Sequence, residues 1–452
     1  MDNKNKYNEL REKYKLFKYN SFKYSLYDNF IEIEYDFEIE GLSFFKPTLK
    51  VPFNSNININ KDTLETFIFN IGMVEAISYY KITCPKEIYV NYYLDDKQIK
   101  FYKKLFLNGL GEFYYTNNID LDPDFATFTC NPNNKLNIIS NDYDLNPNKD
   151  CKVLVNVGGG KDSVVSLELL KDKCDVYPFV MNQRLTTSKC IEIAGLSAKE
   201  LFSSRTLDKN MLELNKQGYL NGHTPFSALV SFVSCLVAYL NGIKFVALSN
   251  ESSANEPTVK DSIINHQYSK SYEYELDFVN YEKEYIKSGV SYFSFLRPLW
   301  EIQIASLFSN YPKYYYTFRS CNVGQKKDIW CGNCPKCLFV YIIMSSFIDR
   351  NTLIDIFNKD LFNDPNLLPI FNKLIGIDEE KPFECVGSRD EVNIALNITL
   401  NEYLNNNIEL PYLLKYYQSL NIKVDTNSFR KQYDRNNNLL PFFSSIIKEQ
   451  LC

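Results

Sequence analysis

Val153-Leu154-Val155-Asn156-Val157-Gly158-Gly159-Gly160-Lys161-Asp162-Ser163 is the stretch whose reading decides the fold. Its first five residues form a short apolar run, the pattern of a strand buried on both faces. Three adjacent glycines end the run, in a chain that has 16 glycines among 452 residues. From Ser163 to about Lys171 the apolar spacing becomes helical. A strand, a bare glycine turn and a helix N-terminus make an anion cradle: unshielded backbone N–H groups can approach a phosphate, and the helix dipole favours its charge. A tight strand-to-helix turn is the plainer use of the same glycines. Spacing separates this loop from two familiar cradles. Walker A needs Ser or Thr directly after Gly-Lys, where Asp162 stands. The dinucleotide fingerprint needs Gly or Ala three places after Gly160, where Ser163 stands.

Working outward, Val176–Met181 and Phe245–Leu248 are further apolar runs, and Phe226–Leu240 between them reads as a buried helix. Strands alternating with helices predict an α/β domain over 149–346, a parallel sheet with helices on both faces. Upstream, Phe30-Ile31-Glu32-Ile33-Glu34-Tyr35-Asp36-Phe37 alternates at period two, which predicts half-buried antiparallel strands. Helical spacing follows at Thr63–Tyr80 and Asp96–Leu107. Residues 1–148 are therefore expected to form an N-terminal α+β domain, ending in the Asn-, Asp- and Pro-rich linker Asn131–Asp150. Residues 347–452 read as a mostly helical C-terminal region.

Apolar residues at 45%, charged residues at 23% and a net charge of −5 describe a chain able to bury a core. They exclude disorder and argue against a surface that grips nucleic acid. No run of about 18 apolar residues exists, and Phe226–Leu240 is too short and Ser-rich to span a membrane. The start, Met1-Asp2-Asn3-Lys4-Asn5-Lys6, leads into no apolar signal core. The expectation is a cytoplasmic protein with no nucleic-acid or membrane partner, its 12 cysteines thiols rather than a disulfide framework.

Four of those cysteines, Cys321, Cys331, Cys334 and Cys337, are spaced C-x9-C-x2-C-x2-C, with Gly332 and Pro335 to turn the chain. Four convergent thiolates suit a structural Zn²⁺ with no open position; an iron–sulfur cluster is the alternative.

The strand, Gly-Gly-Gly-Lys-Asp-Ser and helix together resemble the pyrophosphate loop of the ATP pyrophosphatase (PP-loop, HUP-like) superfamily, which includes argininosuccinate synthetase and GMP synthetase. The resemblance implies that ATP is split to AMP and pyrophosphate. It also implies that Gly158, Gly159, Gly160 and Ser163 hold the phosphates, with Lys161 in the same ATP-binding loop and Asp162 near Mg²⁺ or bonded within the loop. A pyrophosphate loop followed by a four-Cys site also resembles the 7-cyano-7-deazaguanine synthases, which adenylate a small carboxylic acid.

Several polar segments lie between the two motifs: Asn221-Gly222-His223-Thr224-Pro225, Ser249-Asn250-Glu251-Ser252-Ser253-Ala254-Asn255-Glu256, Asn265-His266-Gln267-Tyr268-Ser269-Lys270, Leu296-Arg297-Pro298 and Phe318-Arg319-Ser320-Cys321. With Trp330–Phe339, Glu75–Lys81, Asn108–Phe113 and Lys381–Gly387, they resemble the UDP-N-acetylmuramoyl-L-alanyl-L-glutamate epimerase family over most of the chain. That resemblance implies ATP- and Mg²⁺-dependent inversion of the terminal L-Glu of UDP-MurNAc-L-Ala-L-Glu, in peptidoglycan precursor synthesis. The chemistry suits the loop, because adenylating a carboxylate acidifies its α-proton so that an acid–base group can exchange it.

The acid–base candidates are His223, Glu251, Glu256, His266 and Cys385. His223 could be a base or a helix cap, and His266 an acid–base or an exposed loop residue. Glu251 and Glu256 could hold Mg²⁺ or act as bases, and Glu256 could equally be solvated. Cys385 could be a second acid–base or an inert thiol. Asn250, Asn255, Lys270, Arg297 and Arg319 are expected to bind the UDP-linked muramoyl dipeptide, with Tyr79, Lys81 and Glu112 as further cleft candidates or ordinary core and surface residues. The competing reading is another carboxylate-activating or RNA-modifying ATP pyrophosphatase. A nucleotide-sensing or zinc-scaffold protein, without turnover, is the non-enzymatic one.

Overall fold

The computed structural model describes residues 3–141 and 144–451; Met1, Asp2, Cys452 and the linker residues Asp142 and Tyr143 lie outside the described residues. The strands in chain order are β1 (Leu16–Leu26), β2 (Phe30–Ile39), β3 (Ser43–Phe45), β4 (Thr48–Pro52), β5 (Glu87–Val90), β6 (Thr127–Cys130), β7 (Lys152–Asn156), β8 (Asp175–Met181), β9 (Leu201–Thr206), β10 (Phe245–Leu248) and β11 (Ser291–Ser294). The chain is a mixed α/β protein. It groups into two compact units, one of residues 1–146, 201–246 and 263–292, the other of 147–200, 247–262 and 293–452.

In the first unit the strands follow the order β9-β4-β2-β1-β5-β6, with β3 also on β2. The β1–β2, β2–β3, β2–β4 and β4–β9 pairs are antiparallel, whereas β1–β5 and β5–β6 are parallel. Strand β2 buries every second residue (Ile31, Ile33, Tyr35, Phe37, Ile39), as its period-two alternation requires. Its acidic residues on the other face meet lysines across the pairs, Lys23 with Glu34 and Lys50 with Glu32. The helix Lys61–Glu75 buries almost its whole length. The helix Asp96–Gly109 opens with a capping box, Asp95 accepting from the Gln98 N–H and the Gln98 side chain accepting from the Asp95 N–H. The apolar run Phe226–Leu240 is a buried helix. No described helix is long and apolar enough to cross a membrane.

In the second unit β7 and β8 pair in parallel, Val153 opposite Val176. The helix Lys161–Leu170 starts directly after the three glycines, two residues before the Ser163 start expected from the spacing. The C-terminal region is helical at Arg350–Phe357, Leu368–Ile375, Arg389–Asn405, Tyr412–Leu420 and Pro441–Lys448. Cys151 and Cys174 are joined by a disulfide rather than standing as separate thiols. Each immediately precedes one of two paired parallel strands, so the pairing brings their Cα atoms to 4.9 Å.

Candidate active site

The second unit assembles the glycine-loop cluster. Gly159 has φ +81°, and a Cβ there would sit 2.8 Å from Thr186 Cγ2, so only glycine fits this turn. Gly160 caps the helix, its carbonyl accepting from Ser163 Oγ at 3.0 Å. The loop carbonyls are held from two sides: Arg184 Nη2 donates to Gly158 O at 3.1 Å, and the Arg319 N–H to Gly159 O at 2.8 Å. The Arg319 guanidinium is half-buried, lies 6.0 Å from the Trp330 ring centroid and leaves its Nε without a partner. Burial holds both Arg184 and Arg319 below the ordinary arginine range, partly offset by Asp328. The Arg184 guanidinium thus sits on the bare-backbone loop, while that of Arg319 donates to the Phe318 carbonyl at 2.6 Å; a cation at such a loop favours an anion.

Behind the loop, one oxygen each of Asp162, Glu251 and Glu301 lie within 4.8 Å of one another. Lys161, itself buried, has its ammonium on Asp162 and Glu301. Burial would lower this ammonium, but the carboxylates of Asp162 and Glu301 outweigh it and hold it above the usual lysine range. For Glu301 the contest goes the other way. Burial, with Asp162 and Glu251 beside it, outweighs the pull of Lys161 and pushes its carboxyl up to about 7. Oxygen donors from two helix N-termini and one loop fit a small hard cation such as Mg²⁺, which takes one or two carboxylates and keeps its remaining positions for water and phosphate.

Arg297 is fully buried. It donates to the Glu251 carbonyl at 2.6 Å and to Ser294 Oγ at 3.3 Å, while Asn250 Nδ2 reaches the same Oγ at 3.0 Å. Both residues thus brace the loop that carries Glu251. Glu256 is gripped by Lys381 and Arg389, each at 2.9 Å. Asn255 is exposed, and with Ser252, Glu256, Trp300 and Arg389 it lines a cavity of about 720 Å³. Cys385 is partly exposed, and its carbonyl accepts from Lys336.

The four cysteines converge in this unit. The Cys321–Cys334 and Cys331–Cys337 sulfurs are 3.7 Å apart and Cys334–Cys337 3.5 Å. A tetrahedral ion with Zn–S bonds near 2.3 Å would space its sulfurs by about 3.8 Å. The Gly324 N–H donates to Cys321 Sγ at 3.1 Å, the outer-shell support expected of a thiolate ligand. The donor set fits structural zinc.

The first unit assembles a different cluster. His223 and His266 are the chain's two histidines, and they stand with ring centroids 4.4 Å apart. Both aim Nδ1 at Glu112 Oε2, His266 in direct contact and His223 at 3.5 Å. Burial, then His266, push His223 down to about 4 despite Glu112, so its ring is neutral at pH 7. The turn bearing His223 is tied down. Lys81 Nζ donates to Asn221 Oδ1 at 2.9 Å and Gly222 O at 2.6 Å, and Asn117 Nδ2 donates to Asn221 O at 3.4 Å. Pro225 packs where a Cβ on Gly109 would stand, 2.6 Å from its Cγ. Lys270 is half-buried in the turn Tyr268–Lys270, and its charge helps to lower His223. Tyr79 lies in the aromatic core between Phe37 and Phe45, its hydroxyl accepting from the Asp208 N–H.

Sequence reading missed Glu301, Arg184 and the joining of Glu112 to the histidines. Glu301 begins the helix Glu301–Phe308, where an acidic residue ordinarily complements the dipole, so nothing local marks it as a buried ligand.

A family model described as the MurL N-terminal domain matches residues 8–295, and one described as the MurL C-terminal domain matches 317–413. The chain is 33% identical over 362 residues to the UDP-N-acetyl-alpha-D-muramoyl-L-alanyl-L-glutamate epimerase of Micromonospora sp., covering 78% of each chain. To the protein of the same name from Salinispora tropica it is 33% identical over 362 residues, 78% of this chain and 77% of the relative. To that of Xanthomonas oryzae pv. oryzae it is 32% identical over 341 residues, 73% of each. No solved structure matches the chain.

Proposed function

The chain belongs to the MurL family of UDP-N-acetyl-alpha-D-muramoyl-L-alanyl-L-glutamate epimerases, and from that premise we propose that it inverts the terminal L-Glu of UDP-MurNAc-L-Ala-L-Glu at the expense of ATP. The convergence of Asp162, Glu251 and Glu301 beside the glycine loop carries this reading, because these carboxylates would hold a divalent cation next to the proposed phosphate cradle. The second unit would then have the PP-loop fold. Gly158–Gly160 and Ser163 would cradle the phosphates, Arg184 and Arg319 would neutralise them, and the three carboxylates would hold Mg²⁺, which screens phosphate charge.

In the proposed step a substrate carboxylate oxygen bonds to the α-phosphorus of ATP as the bond to the β-phosphate bridge breaks and pyrophosphate leaves. The acyl ester's α-proton is then acidic enough to leave to a base. A proton returns on the other face, and water cleaves the ester to release AMP and the D-Glu product. Proton handling is assigned to the Glu112–His223–His266 cluster. Glu256 is less suited, because Lys381 and Arg389 already engage its two carboxylate oxygens.

The test incubates the protein with ATP, Mg²⁺ and UDP-MurNAc-L-Ala-L-Glu in deuterated water. Expected are AMP made only with substrate, D-Glu after acid hydrolysis, and deuterium at its α-carbon. AMP without D-Glu would move the assignment to another carboxylate or to RNA. Neither AMP nor inversion from folded, metal-loaded protein would overturn the reading.

A further inference from the structure

We propose that Glu112, His223 and His266 bind a divalent transition-metal ion, of the class of zinc or cobalt, as a second metal centre distinct from the four cysteines. The inference stands on the first unit alone and does not rest on the ATP reading. Three separate segments deliver the ligands: the helix Gly111–Thr116, the turn 221–225 and the loop before Tyr268–Lys270. One donor atom from each lies within 4.8 Å of the other two, and both imidazoles face the same carboxylate oxygen. Two imidazoles and a carboxylate are a ligand set that suits Zn²⁺ and related ions, and three protein ligands leave a coordination position open.

The setting is built rather than incidental. The three side chains are only 16%, 26% and 10% exposed, for Glu112, His223 and His266 respectively. The His223 turn is fixed from behind by Lys81 and Asn117, and by Pro225 seated against Gly109. Such outer support holds first-shell ligands in place. The competing arrangement is a metal-free, hydrogen-bonded His–Glu–His trio. The two differ in what the Nδ1 atoms carry: a metal in one, an exchangeable proton in the other. With a metal bound, the imidazoles are ligands, and the proton station acts through the ion.

The chain's two histidines make this directly testable. Full-length protein with selectively labelled histidine is titrated with Zn²⁺ by NMR, in excess Mg²⁺ to occupy oxygen-only sites. At saturating Zn²⁺ and pH 7 both rings should shift at Nδ1. After dialysis the wild type should retain two zinc ions per chain, and His266→Gln one, with unchanged far-ultraviolet circular dichroism. Ring Nδ1 resonances unmoved at saturating Zn²⁺, or equal zinc content in wild type and folded His266→Gln, overturn the proposal. If the variant does not fold, the wild-type Nδ1 shifts decide alone.

Discussion

Lys81→Met gives the sharpest test of how the histidine turn is held. Lys81 is buried, and its ammonium donates to Asn221 Oδ1 and Gly222 O with no carboxylate among these partners. Burial, with the Arg205 charge adding to it, lowers its pKa from 10.5 to about 8. The folded chain therefore sheds this proton near pH 8, whereas the unfolded chain keeps it to about 10.5. Between those limits the unfolded state binds more protons, so stability rises with pH. The interval corresponds to about 3 kcal/mol, a penalty fully present below pH 8 and relieved by about pH 10.5. Removing the ammonium relieves the penalty but strands two acceptors at about 1–3 kcal/mol each, so the two effects roughly cancel at pH 7. The slope is the signal. In calorimetry from pH 7.5 to 10.5, the wild-type midpoint for the first unit should gain roughly 6–12 °C on that of Lys81→Met. Taking the difference cancels tyrosines and thiols that titrate in the same window. Parallel curves would refute the account of Lys81 as a desolvated ammonium.

In the second unit, Gly159→Ala should cost about 1–3 kcal/mol and lower AMP formation at least about tenfold, since it forces a side chain onto a left-handed residue against Thr186. Gly158→Ala, whose Cβ would meet nothing within 4 Å, is the matched control for thermal shift. Glu301→Gln keeps the shape and removes one carboxylate charge; AMP formation should fall about a hundredfold and need more Mg²⁺, as a titration of rate against Mg²⁺ would show. Cys334→Ser should abolish zinc retention at the four-Cys site and expose the remaining thiols to a thiol reagent, whereas a zinc content equal to wild type would exclude that site.

What could be read from the sequence was local. The glycine loop was legible because strand, turn and helix are consecutive, and the four cysteines because three of them fall within seven residues. The alternation of Phe30–Phe37 predicted a half-buried strand, and β2 is one. The histidines stood out because they are rare and lie in polar runs, but their meeting at Glu112 joins positions 112, 223 and 266, and no spacing encodes it. The same holds for Glu301, 140 residues from Lys161, and for Cys151–Cys174, whose bond follows from strand pairing. Contiguous domains drawn along the chain cannot express a unit that takes back 201–246 and 263–292. Arg297, expected on substrate, is fully buried and donates to the Glu251 carbonyl and Ser294, and burial of that kind is invisible to composition.

The histidine geometry also limits how an inversion can be run. A proton leaving one face of a carbon and returning on the other needs groups on both sides, each about 3 Å from that carbon. Two such groups lie about 6 Å or more apart, with the carbon between them. His223 and His266 have centroids 4.4 Å apart and share one carboxylate oxygen, which leaves no room for a carbon between the rings. On the proposed reading they therefore form one station and serve one face, whether they carry a proton or hold an ion. That leaves two routes for the other face. Either another side chain supplies it, or the carbanion turns within the site and takes its proton from the station that removed it. Activation favours the second route more than it would for a free carboxylate, because delocalisation into an acyl ester lengthens the life of the planar intermediate. On the proposed reading His223 and His266, separate acid–base candidates in the sequence, thus act together as a single station.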